Sequence, residues 1–312
     1  VAAVAALGKT LYPKLMASGY GRERAGGLLA ASGAIDIIIP PSIALILYGL
    51  AAEQSIPRLF MAGILPGLLI AAAMAGYIMI VAVRAGIPRT EGFDVSTVVR
   101  TTKAAAWGVL MPVVVLGGIY GGWFSPTEAG GVAAFYAMLV ARFVYRSMSW
   151  REIVSAAAES AILSAKILII VATAGVITWL LTTQGVPQSI IATIQALDMS
   201  AAQFLLCVNV LLLVTGCVLD PTSAILVLAP LLVPIGMSLG VDPIHFGVVM
   251  SVNLAIGMFT PPFGLNLFVA QSVTGVPAHL LYRGVWPFVA VQIAALLVIT
   301  YVPAISLALG GR

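Results

Sequence analysis

Two proline pairs, Pro40-Pro41 and Pro261-Pro262, stand in the middle of apolar stretches and are flanked by small oxygen-bearing side chains. Ser32, Asp36 and Ser42 surround the first pair; Asn253, Thr260 and Asn266 surround the second. A third group, Thr215, Asp220 and Thr222, stands beside Gly216 and Pro221. Proline has no amide hydrogen and its ring clashes with the preceding turn, so each pair interrupts a helix and frees carbonyls. At membrane depth that is tolerated where the freed groups line a polar site. Half-helix N-termini attract carboxylates, whereas carbonyls and C-terminal ends attract cations. Hydroxyls, amides and carbonyls are hard oxygen ligands suited to an alkali cation. The candidate binding residues are Ser32, Gly33, Asp36, Pro40, Pro41, Ser42, Thr215, Gly216, Asp220, Asn253, Gly257, Thr260, Pro261, Pro262 and Asn266. Any single Ser or Thr among them could instead satisfy a broken helix or pack between helices. Asp220 can cap the helix after Pro221, ligate a cation or sit at a wetted tip, with the cap placed first. Asp36 can tune charge preference, carry a proton or face a solvated vestibule.

The composition decides where these elements must lie. Of 312 residues, 61% are hydrophobic and 8% charged. Soluble domains carry about 25% charged residues, so an ordinary soluble enzyme is excluded. A net charge of +4 is too sparse for a phosphate-tracking face, which excludes nucleic acid as a partner. No nucleophile, base and orienting group occur in an arrangement that supports hydrolysis. Cys207 and Cys217 lie in apolar runs and read as small hydrophobes. No metal-ligand cluster accompanies His245 or His279.

Apolar runs of about 20 residues cross a bilayer as helices. Leu59 to Val83, Ala104 to Trp123, Gly130 to Val144, Ile162 to Leu181 and Leu280 to Tyr301 are such runs. Gly26 to Leu50 and Phe246 to Ala270 are broken by the proline pairs, and Phe204 to Ile235 is long enough for a hairpin turning between Thr215 and Pro221. Trp150 to Ala161 reads as a helix along the interface. Three basic clusters mark the cytoplasmic side by the positive-inside rule: Lys9, Lys14, Arg22 and Arg24; Arg84, Arg89, Arg100 and Lys103; Arg142, Arg146 and Arg151.

One offset, 221 residues, places Pro40 and Pro41 on Pro261 and Pro262, Gly26 on Gly247, Gly63 on Gly284 and Pro66 on Pro287. The first copy runs from a basic flank towards Glu53, inside to outside; the second enters without Lys or Arg and exits at His279 and Arg283, outside to inside. Inverted copies with broken helices are the construction of secondary transporters. The expected fold is an all-α polytopic membrane protein of inverted repeats, with a re-entrant hairpin and broken helices. Residues 1–83 hold the end of a first hairpin and the first repeat core. Residues 84–161 form a connecting arm with scaffold helices, and 162–312 form the second scaffold helix, hairpin, broken helix and final helix. On this register the chain begins inside a structural element, about one hairpin arm late.

The motifs Ala30-Ala31-Ser32-Gly33, Ile39-Pro40-Pro41-Ser42, Leu59-Phe60-Met61-Ala62-Gly63-Ile64-Leu65-Pro66-Gly67, Gly216-Cys217-Val218-Leu219-Asp220-Pro221, Asn253-Leu254-Ala255-Ile256-Gly257 and Thr260-Pro261-Pro262-Phe263-Gly264 resemble the large membrane subunit of tripartite ATP-independent periplasmic transporters, dicarboxylate type. The resemblance implies an elevator-type ion-transporter fold and sodium-coupled import of small carboxylates across the bacterial inner membrane. It implies Na+ as the coupling ion and no other cofactor, with candidate sodium ligands among Ser32, Ser42, Thr215, Asn253 and Thr260. It also implies two partners, a small four-helix membrane subunit and a periplasmic substrate-binding protein. Asp36 departs from the small residue usual in that family. An exporter or antiporter of related fold, or a non-transporting scaffold, stays open as an alternative.

Overall fold

The computed structural model describes residues 2–87 and 94–310; Val1 and the linker residue Arg89 lie outside the described residues. The described residues form helices and no strands. In order these are α1 (Ala2–Ala17), α2 (Arg22–Ser32), α3 (Ile35–Ile38), α4 (Ile43–Ala51), α5 (Ile56–Arg84), α6 (Val95–Tyr120), α7 (Pro126–Leu139), α8 (Trp150–Thr183), α9 (Val186–Ala196), α10 (Ala201–Val218), α11 (Pro221–Ser238), α12 (Pro243–Gly257), α13 (Leu265–Thr274), α14 (Ala278–Tyr301) and α15 (Ala304–Gly310). A π-helical turn, Val140–Val144, extends α7. Seven helices among the described residues are long and apolar enough to cross a membrane. The protein is an all-α polytopic membrane protein.

The chain forms two compact units. One comprises Arg89–Thr173; the other joins Val1–Pro88 to Ala174–Arg312. In the smaller unit α6 packs on α7. Asp94 caps α6 by accepting from Ser96 and Thr97, and Ser125 with Glu128 forms a capping box on α7, as the Ser-Pro-Thr-Glu run requires. The start of α8 is capped by the same device, Ser149 and Glu152. No Gly or Pro follows until Gly175. The separate interfacial helix expected over Trp150 to Ala161 is therefore one piece with the span behind it, a helix of 34 residues. At 1.5 Å per residue it is about 51 Å long, longer than the ~30 Å hydrocarbon core of a bilayer.

In the larger unit α12 is the centre. Every residue from Ile244 to Gly257 is buried, including the polar His245, Ser251 and Asn253. It packs on α10, α11, α5 and α14. The 221-residue offset that aligns the proline pairs also aligns element starts: α11 falls on α1, α12 on α2, α13 on α4 and α14 on α5. Neighbours correspond too. α1 packs on α2 and α13, and α11 packs on α12 and α4. Both proline pairs are joined by cis peptide bonds.

The breaks differ from the expected positions in two places. The first stretch stops at Ser32, ahead of its prolines, and the four-residue α3 intervenes. The hairpin is interrupted only at Leu219 and Asp220, so Thr215 and Gly216 are still helical.

Close backbone approach sets the packing of α12. A Cβ built on Gly257 would lie 2.4 Å from the carbonyl carbon of Gly216, and one on Gly247 would lie 2.4 Å from the Tyr48 ring. Backbone cannot rotate away as a flexible side chain can, so Gly257→Ala is expected to cost about 1–3 kcal/mol, read as a lower midpoint of thermal unfolding. Gly175→Ala, on an open stretch of α8 with nothing within 4 Å of the added carbon, is the control and is expected to leave the midpoint unchanged or raise it. Equal losses in both would contradict this account of the packing.

Candidate functional site

The C-terminal end of α2 stops among buried residues, where its last carbonyls have no intrahelical partner. A distant side chain supplies the Ala30 carbonyl, and another joins the Ala34 amide, which the Ala31 carbonyl accepts at 3.1 Å. Asn266 of α13 donates its Nδ2 to the Ala30 carbonyl at 3.3 Å, and Gln292 of α14 donates its Nε2 to the Ala31 carbonyl at 3.4 Å. Ser32 donates its hydroxyl to the Leu29 carbonyl at 2.9 Å. Gly33 follows because a side chain there would collide with both neighbours: a Cβ would lie 2.2 Å from Val4 and 2.9 Å from Asn266 Nδ2. The amides that do this leave their own oxygens over. Asn266 Oδ1 and Gln292 Oε1 are buried without a hydrogen-bond partner among the described residues, at the end of a helix whose dipole favours positive charge.

Beyond α3, Ser42 caps α4. Its Oγ accepts from the Leu45 amide at 3.3 Å and donates to the Ile37 carbonyl, which spans the break between the half-helices. Pro40 is buried and Pro41 exposed. Asp36, on α3, is exposed and makes no hydrogen bond among the described residues. Farther on, Tyr48 of α4 donates its hydroxyl to the Pro243 carbonyl of α12 at 2.6 Å. The post-break helix of each stretch thus reaches the pre-break helix of the other, through Asn266 in one direction and Tyr48 in the other.

At the second break Thr260 donates to the Ile256 carbonyl at 2.7 Å, and the hairpin residue Thr215 donates to Leu211 at 2.8 Å. A hydroxyl that gives its proton to a carbonyl of its own helix keeps lone pairs for a further partner. Gly216 meets Gly257 backbone to backbone, bringing the end of α10 against the end of α12. The Pro262 carbonyl accepts from the Tyr282 hydroxyl at 3.0 Å. Asp220 caps α11, accepting from the Ser223 amide at 3.0 Å and hydroxyl at 2.7 Å.

Asn253 joins a buried polar ladder. Its Nδ2 donates to Asn209 Oδ1 and to the Val249 carbonyl, both at 2.8 Å. Asn209 in turn donates to Thr300 at 3.1 Å, and His245 Nε2 lies 3.1 Å from the Thr300 carbonyl. This buried ladder of α10, α12 and α14 leaves Asn253 Oδ1 unpartnered. Asn209, Gln292 and Thr300 escaped the sequence reading. The available signal was a lone amide inside an apolar run, as in Leu205-Leu206-Cys207-Val208-Asn209-Val210-Leu211. Among the described residues no three His, Cys, Asp or Glu side chains gather to hold a metal ion.

A helical membrane protein with breaks of this kind could belong to several transporter families. The family model of the tripartite ATP-independent periplasmic (TRAP) transporter, DctM component, matches residues 1–305. The chain belongs to that family. It is 42% identical over 308 residues to the C4-dicarboxylate TRAP transporter large permease protein of Pseudomonas aeruginosa, covering 99% of this chain and 72% of the relative. It is 39% identical over 311 residues to the isethionate TRAP transporter permease protein of Oleidesulfovibrio alaskensis, covering 99% of this chain and 49% of that one. It is 34% identical over 306 residues to the ectoine/5-hydroxyectoine large permease protein of Ruegeria pomeroyi, covering 98% and 72%. A DctM-family chain is a transporter component, not an enzyme.

If the α2 end is held by a distant amide, removing Asn266 strands the Ala30 carbonyl, whereas the Ala31 carbonyl keeps the Ala34 amide when Gln292 is removed. Asn266→Ala is expected to destabilise the purified protein by about 1–3 kcal/mol, and Gln292→Ala by less, seen in thermal unfolding. Thr215→Val removes only a bond within its own helix and is expected to cost less than about 1 kcal/mol. A wild-type midpoint for Asn266→Ala would contradict the assignment.

Proposed function

We propose that this TRAP-family permease carries out sodium-coupled secondary import of small organic acids delivered by a periplasmic binding protein, in the bacterial inner membrane and beside a small four-helix membrane subunit. The observation that carries the reading is the α2 end. Two buried amide oxygens, Asn266 Oδ1 and Gln292 Oε1, lack partners beside a helix C-terminus, which is a setting for a cation with hard oxygen ligands. The hydroxyls of Ser32, Ser42, Thr215 and Thr260 and the amide of Asn253 are the other candidate ligands. Of the substrates named for the relatives, C4-dicarboxylate and isethionate are anions, and ectoine is a zwitterion that carries a carboxylate. They also differ enough that family membership leaves the particular acid open.

In this reading the two stretches related by the 221-residue offset are inverted repeats, with α10 and α11 a re-entrant hairpin whose tip is capped by Asp220. Sodium binding draws together the ends of α2 and α12 and the hairpin tip, which completes an anion site. Import is then coupled because the two ligands stabilise one state together, and the loaded repeats move as an elevator past the remaining helices. Asp36, exposed on α3, is in a position to tune the charge of the accepted acid.

Reconstitution of the permease with its small subunit and binding protein tests this. Labelled organic-acid uptake is expected to need both an inward sodium gradient and the binding protein. Thr260→Val is expected to raise the sodium concentration for half-maximal uptake by about tenfold, a loss near 1.4 kcal/mol, while the assembled complex remains. Uptake indifferent to sodium across a panel of acids, or loss of assembly in step with loss of transport, would overturn the proposal.

A further inference from the structure

Away from the breaks, charged side chains of two helices gather around one cavity walled by a third. Glu23 and Arg24, in the first turn of α2, and Arg283, in the second turn of α14, line a space of about 200 Å³. Its walls include Tyr77 and Val81 of α5 and Phe288 of α14. The shape is fixed by backbone contact. A Cβ on Gly284 would lie 2.0 Å from the Glu23 carbonyl oxygen, and one on Gly27 would lie 2.3 Å from that of Gly284. Tyr77 stands edge-on to Phe288 with centroids 5.1 Å apart. Neither guanidinium has a hydrogen bond or ion pair among the described residues. Two unpaired Arg against one Glu leave a net positive cavity, and the planar guanidinium fork matches phosphate oxygens.

The surroundings narrow the ligand. The volume is below the roughly 300–1,000 Å³ of drug-sized ligand sites, so a small oxyanion or a headgroup fits and a nucleotide does not. On the adjacent face of the same turns of α5, Gly76, Met79, Ile80 and Val83 form an open apolar groove of about 460 Å³ that ends at Arg84. Met79 is 66% exposed and Val83 77%. A cationic cavity beside an apolar groove is the outline of an amphiphile. Glu23 repels a dianion more than a monoanion and can accept from a headgroup hydroxyl, which favours a phosphodiester over free phosphate.

We propose that this cavity is a phosphate site filled from the membrane by an anionic phospholipid headgroup, with Arg24 and Arg283 on the phosphate, Glu23 on the headgroup hydroxyls and an acyl chain along α5. The site is independent of the proposed sodium and substrate positions.

Thermal unfolding of the purified protein in neutral detergent, titrated with phosphatidylglycerol, phosphatidylcholine or inorganic phosphate, tests it. Phosphatidylglycerol is expected to raise the midpoint saturably, as a ligand of the folded state does. Phosphatidylcholine is expected to have no such effect, and phosphate an effect only at far higher concentration. The paired change Arg24→Gln and Arg283→Gln is expected to raise the half-saturating phosphatidylglycerol concentration at least about tenfold. Glu23→Gln is expected to narrow the gap between phosphate and the lipid. Should the Gln pair not fold, Arg24→Lys with Arg283→Lys keeps the charge but loses the fork, and is expected to weaken binding about threefold or more. Stabilisation by phosphatidylcholine equal to that by phosphatidylglycerol, or wild-type half-saturation in the Arg variants, would overturn the site. Phosphate protecting as well as the lipid would overturn the membrane source and assign a soluble phosphate ester.

Discussion

The carbonyls at the end of α2 are the constraint around which the larger unit is arranged. A helix that stops inside a low-dielectric interior leaves polar groups whose desolvation costs several kcal/mol unless partners are supplied. Here the Ala30 carbonyl takes its partner from more than 230 residues away, the amide of Asn266, and the Gln292 amide joins the Ala34 amide on the Ala31 carbonyl. That demand fixes where α13 and α14 must lie. It also fixes Gly33, since any side chain there would displace Val4 or Asn266. The helices α2 and α14 also meet closely at Gly27 and Gly284, on the same pair of helices that the Gln292–Ala31 hydrogen bond joins.

The same logic runs in the other direction. Tyr48, behind the first proline pair, bonds Pro243 at the start of α12 and lays its ring on Gly247. Each interrupted stretch is therefore completed by the other, and neither would be satisfied as a separate unit. α12 ends against Gly216 of α10, which ties the second break to the hairpin. A site built at these ends consists of oxygens already held by packing, the condition for selective binding of a weakly coordinated cation.

Much of this was legible in the sequence, and what was hidden has physical reasons. The proline pairs announced both breaks because proline removes a donor wherever it stands. The 221-residue offset read from glycines and prolines also coincides with the starts of α1, α2, α4 and α5 against those of α11 to α14. Asp220 was readable as a cap from its place before Pro221. Gln292 and Asn209 were not readable, because an amide in an apolar run does not say which distant carbonyl it serves. The continuity of α8 was missed because the polar residues at its start, such as Arg151, Glu152 and Glu159, resemble an interfacial helix in composition while nothing in the backbone breaks it. The early stop of α2 at Ser32 was missed because the tertiary partners of Ala30 and Ala31, not a local breaker, hold it.

The family assignment and the geometry meet at the two unpartnered amide oxygens beside α2. Their proposed role as part of a sodium site is the centre of the account, and ion-dependent thermal stability of the purified permease tests it most directly. Sodium, and not potassium, is predicted to raise the unfolding midpoint of the wild-type protein. Asn266→Ala and Gln292→Ala, compared at concentrations where each is folded, are predicted to raise the half-saturating sodium concentration by about tenfold or more. Equal stabilisation by potassium, or unchanged half-saturation in both folded variants, would contradict it.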